Sequence, residues 1–148
     1  MKISTRTRYG FRFLIHLARL YGQPPVQLHE IAEQEQIPRK YLEQIMLQLR
    51  NATFIQVKRG AHGGYSLSRH PADIALLEVF EILEGPVRLV ECTDHAQSCA
   101  RSAICPMQGY WAELSDSIGS LMRNQSLQQL LDRYHRIHHD HPVPDYSI

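Results

Sequence analysis

Cys92, Cys99 and Cys105 are all the cysteines in this 148-residue chain, and they share one stretch, CTDHAQSCARSAICP, at 92–106. Thiolates are soft ligands suited to zinc or to an iron-sulfur cluster, and one loop can fold three of them around a single centre. The spacing is neither the paired C-x-x-C of a zinc ribbon nor a ferredoxin run, so by itself it leaves metal binding and thiol redox chemistry both open. An odd number of thiols argues against a secreted disulfide framework, and clustered cysteines in a reducing compartment point to metal or redox work. A metal-free redox switch needs exposed thiols held as thiolates, and Arg101, close to Cys99, would favour one.

A second group of chemistry-bearing residues, HRIHHDH at 135–141, places His135 and His139 four apart, a workable zinc spacing on a helix. A solvated polar tail accounts for the same residues. GAHGG at 60–64 lacks the following helix and lysine of a phosphate-binding loop, and the chain carries no nucleophile elbow and no zinc-hydrolase signature. No enzyme is expected.

The elements that would hold the cysteines follow from periodicity. Residues 5–21 repeat Tyr9, Phe13, Leu17 and Leu20/Tyr21 at helical spacing, and GQPP stops the pattern. A short helix at 28–35 turns Leu28, Ile31 and Ala32 to one side. A third, with Pro38 as its first residue, carries Leu42, Ile45, Met46 and Leu49 on its core face and Lys40, Glu43 and Gln44 opposite, with Arg39 at the N-terminal edge. FIQVKRGAHGGYSLSR at 54–69 alternates as a two-stranded hairpin around a glycine-rich turn. A helix at 74–84 follows, built on Leu76, Val79, Phe80 and Leu83 and ended by Gly85-Pro86. Past the cysteines, Trp111, Leu114, Ile118 and Leu121 form a seam suited to a second helix. Residues 126–139 form a final helix, and 140–148 read as an unstructured tail.

Charge divides the chain. Residues 1–70 carry eleven Lys/Arg against four Asp/Glu, whereas residues 71–148 carry five against eleven. A basic half points to a polyanion. No run of about 18 apolar residues exists, and arginines interrupt the first twenty residues, so a soluble cytoplasmic protein with no membrane partner is expected.

Three helices, the second and third joined by a tight turn and followed by a basic hairpin, give the order of a winged helix-turn-helix. Arg39, Lys40, Glu43 and Gln44 then reach base edges of double-stranded DNA. Arg6, Arg8, Lys58, Arg59 and Arg69 hold phosphates with His62 beside them, and Gly63 and Gly64 let the wing turn and approach closely. A protein-interaction module with a solvated polar face is the plainer alternative.

KISTRTRYGFRFLIHLA, IAEQEQIPRKYLEQIMLQLRNATFI, VKRGAHGGYSLSR and EVFEILEG together resemble the Rrf-two family, bacterial regulators of the IscR, NsrR and CymR kind, over about residues 1–122. The resemblance implies a fold that is mainly α with a small β-hairpin: a winged helix-turn-helix domain at 1–84, a cysteine-containing sensor loop at 85–108, and a dimerisation helix with tail at 109–148. It further implies a homodimer on a roughly palindromic operator, with Trp111, Leu114, Ile118 and Leu121 as the dimer seam. In its cluster-binding members three cysteines in this loop hold a 2Fe-2S or 4Fe-4S iron-sulfur cluster, and Cys92, Cys99 and Cys105 match them. The fourth ligand departs from the pattern. Gln108 stands where one branch has histidine, and Arg8 where another has an acid, which leaves His95 or Glu91 of this chain, or a small external ligand.

Overall fold

The computed structural model describes residues 2–93 and 99–140; His95, His141 and the tail beyond residue 140 lie outside them. α1 (Thr5–Arg19), α2 (Leu28–Gln34) and α3 (Arg39–Asn51) are followed by a hairpin of β1 (Ile55–Lys58) and β2 (Gly64–Leu67). After a single 3-10 turn at Pro71–Asp73 come α4 (Leu76–Leu83), α5 (Pro106–Arg123) and α6 (Leu127–Asp140).

The apolar positions at helical spacing do the packing. Phe13, Leu14 and Leu17 of α1, Ile31 of α2, Leu42, Ile45 and Leu49 of α3, and Val79 and Leu83 of α4 are buried in one core. Each such side chain, taken from water, contributes on the order of 2 kcal/mol. The expected faces of α2, α3 and α4 are the observed ones. Tyr21 is not part of it: α1 ends before this residue, which is 44% exposed.

Pro38 differs from its expected place. Its ψ of 125° is not helical, so it caps α3 from outside. Its carbonyl accepts from Tyr41 and Leu42 at 2.9 and 3.0 Å, the first bonds of the helix. The turn before it is closed by Gln36 in a left-handed conformation, φ 50°.

The wing pairs Ile55 with Leu67 and Val57 with Tyr65, the alternation expected. Tyr65 also exchanges two main-chain bonds with Val26, at 2.8 and 3.0 Å, which pins the hairpin to the entry of α2. Gly64 makes that possible, because a Cβ there would fall on the Val26 main chain.

α4 starts later than the pattern suggests. Ile74 is extended, its carbonyl accepts from Leu127, and Leu76 donates to the Gln125 carbonyl, both at 2.9 Å. The first turn is thus exchanged for an antiparallel bridge between Ala75 and Ser126. This bridge brings α6 back onto α1, with Leu127 and Leu131 in the core of the N-terminal module. The last helix thus packs on α1 and on the turn at Pro71–Asp73.

Two carboxylates lock α1 in place. Glu84, at the end of α4, accepts from the Ser4 main-chain N–H (3.2 Å), the Ser4 hydroxyl (2.6 Å) and the Thr7 hydroxyl. Glu35, at the end of α2, meets His16 Nδ1 at 3.0 Å and Arg12 Nε at 3.4 Å, and Arg12 also donates to the Glu35 carbonyl. Burial pushes both carboxyls upward. The hydrogen bonds from Ser4 and Thr7 and the Arg6 charge outweigh it at Glu84, as His16 and Arg12 do at Glu35, so both lie below the ordinary glutamate range.

A carboxyl held low stabilises the fold fully above the ordinary glutamate range and ceases to do so as pH falls through its lowered value. The thermal midpoint is therefore expected to drop between about pH 5 and pH 3, and less steeply in Glu84→Gln, which should already be weaker at pH 7. Gly64→Ala should cost roughly 1–3 kcal/mol in urea unfolding, through the clash with Val26.

Candidate functional site

α3 turns a polar face outward because Leu42, Ile45 and Leu49 take the opposite one. Arg39, Lys40, Glu43 and Gln44 are all exposed on it. Arg39 Nε lies 3.1 Å from Glu43 Oε1, an i,i+4 pair on the helix surface. Exposed pairs of this kind contribute only about 0.3–0.5 kcal/mol, so either partner is readily exchanged for a nucleic-acid group. Leu47 and Arg50 extend the exposed face by another turn; Leu47 reads from sequence as one more apolar helix position.

The wing presents Lys58, Arg59 and His62, all exposed. Gly63 and Gly64 are buried, and a Cβ on Gly63 would meet the Lys58 carbonyl, so these two glycines build the wing and present no surface of their own. Between wing and helix-turn-helix lies a groove of about 400 Å³ whose lining includes Gln27, His29, Arg39 and Lys58. His29 and Gln27 are contributors with no periodic or charge signal in the sequence.

Arg6 and Arg8 are exposed on the first turns of α1, where Arg8 donates to the Thr5 hydroxyl at 2.9 Å. Arg69, expected among the phosphate-holding residues, is partly exposed, paired with Glu78 of α4 and placed over the Phe54 ring at 5.1 Å. Arg12 is bound to Glu35, and Arg19 lies over Tyr134 at 4.7 Å. Three cations of the basic half thus have partners within the fold, while Arg6, Arg8, Arg39, Lys40, Lys58 and Arg59 are exposed on α1's start, α3 and the wing.

All three cysteines are free thiols of intermediate exposure. Cys92 lies in a 3-10 turn, Glu91–Thr93, packed on α5, with Glu91 exposed beside it. Cys105 is the residue that caps α5, ahead of Pro106. Gln108 does not face outward as a ligand: its side-chain amide donates to the Cys92 carbonyl at 2.8 Å. As a donor set, three soft sulfurs on one short segment fit an iron-sulfur centre. Among the described residues, however, no three His, Cys, Asp or Glu side chains are gathered closely enough to hold a metal ion. His135 and His139 of α6 belong to no such group either.

On α5, Ser115 and Gly119 are buried toward α4, while Trp111, Leu114 and Ile118 are half-buried and Leu121 is 62% exposed. Tyr110 and Met107, 54% and 42% exposed, continue this apolar stripe toward the cysteines. No described helix is long and apolar enough to cross a membrane.

The model of the family described as Rrf2, iron-dependent transcriptional regulator, matches residues 3–133. The protein rrf2 of Nitratidesulfovibrio vulgaris is 35% identical over 131 residues, 88% of this chain and 87% of that one. The transcriptional regulator CymR of Bacillus subtilis is 34% identical over 130 residues, 88% and 89% of the two chains. The solved structure of that CymR, described as a global cysteine regulator, matches with a TM-score of 0.76 at 32% identity over 90% of this chain and 98% of the other. That of T. potens IscR matches with a TM-score of 0.74 at 30% identity over 90% and 88%. The chain belongs to the Rrf2 family of winged-helix transcriptional regulators, a family of regulators and not of enzymes.

Proposed function

We propose that this regulator binds a roughly palindromic operator as a cytoplasmic homodimer, and that its affinity for DNA is set by an iron-sulfur cluster held at Cys92, Cys99 and Cys105. The observation that carries the reading is the position of the thiols. They are free, partly exposed and strung along the one segment that joins the end of α4 to the start of α5. When bound, such a cluster supplies a ligation centre whose loss or oxidation is the signal. Gln108 is engaged with Cys92, and Arg8 carries no lone pair to give, so the fourth position falls to Glu91, to His95 outside the described residues, or to a small external ligand.

The chain's own residues do the rest. Arg39, Lys40, Glu43 and Gln44 meet base edges, and Arg6, Arg8, Lys58 and Arg59, with His62, meet phosphates. The apolar stripe Trp111, Leu114, Ile118 and Leu121 pairs two protomers, which spaces two α3 helices for a two-fold operator. To regulate, the two states of the thiol segment must differ in DNA affinity by about 10-fold, or 1.4 kcal/mol.

Anaerobic purification with visible absorption, iron and sulfide analysis tests the cofactor. A brown protein that loses colour and iron in Cys92→Ala, Cys99→Ala or Cys105→Ala is expected. A colourless, iron-free protein from the same preparation overturns the cluster and leaves a thiol switch on the same fold. For DNA, Lys40→Ala should weaken operator binding and relax its sequence preference. Arg59→Ala should weaken binding to all sequences and lower the salt dependence by about one ion. Leu114→Asp with Leu121→Asp should shift the protein to monomer in sedimentation.

A further inference from the structure

Gln108 is a glutamine at a position where the chemistry of the segment leaves no ligand role for it, yet it is half-buried and makes a short, specific bond. The Cys92 carbonyl can only accept, so the amide's NH2 end must face it at 2.8 Å. Gln108 also bonds to Cys105 through the main chain, its own N–H donating to the Cys105 carbonyl at 3.3 Å. One residue therefore binds the main chains of two of the three cysteines. The third joins through two more bonds, Ser102 N–H to the Cys99 carbonyl at 3.0 Å and Cys105 N–H to the Ser102 carbonyl at 3.4 Å. These bonds join the main chains of all three cysteines in one line, to which Gln108 contributes a side-chain link.

A second tether shows which way the segment runs. Leu89 donates its N–H to the Ser115 hydroxyl at 3.3 Å, and that hydroxyl donates in turn to the Trp111 carbonyl at 2.8 Å. Gln108 and Ser115 are seven residues apart, two turns or about 10 Å of helix, and so lie on the same side of α5. The strap from 89 to 92 therefore lies antiparallel along α5, held at one end by Ser115 and at the other by Gln108.

We propose that Gln108 is a positioning residue for the thiol site: its amide clamps Cys92 to the first turn of α5, on whose cap Cys105 sits, before anything binds. This deepens the cluster reading and rests on it for its purpose, but the clamp itself is a property of the metal-free chain.

Gln108→Glu separates the clamp from helix stability. Glutamate has the same shape but cannot donate to Cys92 when ionised, while a negative charge in the first turn of a helix favours α5. Gln108→Ala removes the amide altogether. The measurements are peptide-resolved alkylation of Cys92, Cys99 and Cys105 and amide hydrogen exchange over residues 91–93, on reduced, metal-free, full-length protein at pH 7.5. Both variants should alkylate Cys92 several-fold faster than wild type and exchange faster at 91–93, with Cys99 little changed and the helical content of α5 retained. Unchanged Cys92 alkylation and unchanged exchange in both variants overturn the clamp, whatever the iron content. Accelerated Cys92 in both variants, in a protein whose wild type takes up no iron and sulfide anaerobically, upholds the clamp and removes the cluster reading alone.

Discussion

The carboxylate of Glu84 is the joint on which the two halves of this molecule depend. The main chain of Glu84 closes the last turn of α4, while the carboxylate accepts hydrogen bonds from Ser4, 80 residues away in sequence, and from Thr7 at the start of α1. The first turns of α1 carry Arg6 and Arg8, and the residue after Glu84 is Gly85, φ 97°, where the chain leaves for the cysteines. A hydrogen bond to a charged group contributes about 1.5–3 kcal/mol, so several together make this joint one of the firmer points of the surface. Glu84 is thus the point at which the chain that leads to the cysteines meets the start of α1, the helix that presents Arg6 and Arg8.

Glu35 plays the corresponding part at the helix-turn-helix. α2 is only seven residues long and could not hold its own orientation by backbone hydrogen bonds alone. Glu35 at its end is gripped by Arg12 and by His16, whose ring is buried on α1, just before the left-handed turn at Gln36. The angle between α2 and α3 is therefore set from α1. With Glu84 fixing one end of α1 and Glu35 its middle, α1 is the beam against which α3 packs.

The faces of the helices and the register of the hairpin were legible in the sequence because both are periodic and local: Leu42, Ile45 and Leu49 repeat every three or four residues, and Ile55/Val57 alternate with Tyr65/Leu67. What was not legible is non-local and made by single residues. The pairing of Ile74–Leu76 with Gln125–Leu127 joins two short stretches some fifty residues apart and leaves no local signal, so α4 is expected two residues too early. The partners of Arg69, Glu78 and Phe54, are likewise unmarked in the sequence beside the wing. The sequence located the thiols, and the family resemblance placed Gln108 where one branch has a histidine ligand. What it does instead depends on a carbonyl sixteen residues earlier.

That partly tied arrangement has a thermodynamic sense. A site fully assembled in the empty protein would change little on occupation and could not shift the balance between two states. A site left wholly unordered would set the cost of ordering, about 1–2 kcal/mol for each backbone residue, against binding. Here the strap is fixed to α5 at Leu89 and Cys92 and the helix is capped by Cys105, so those residues are ordered beforehand, while the three sulfurs are not yet gathered around a centre. On the cluster reading proposed above, the free energy of drawing them together would act on the ends of the segment, and those ends are Glu84, which is bound to the start of α1, and α5, which carries the apolar stripe.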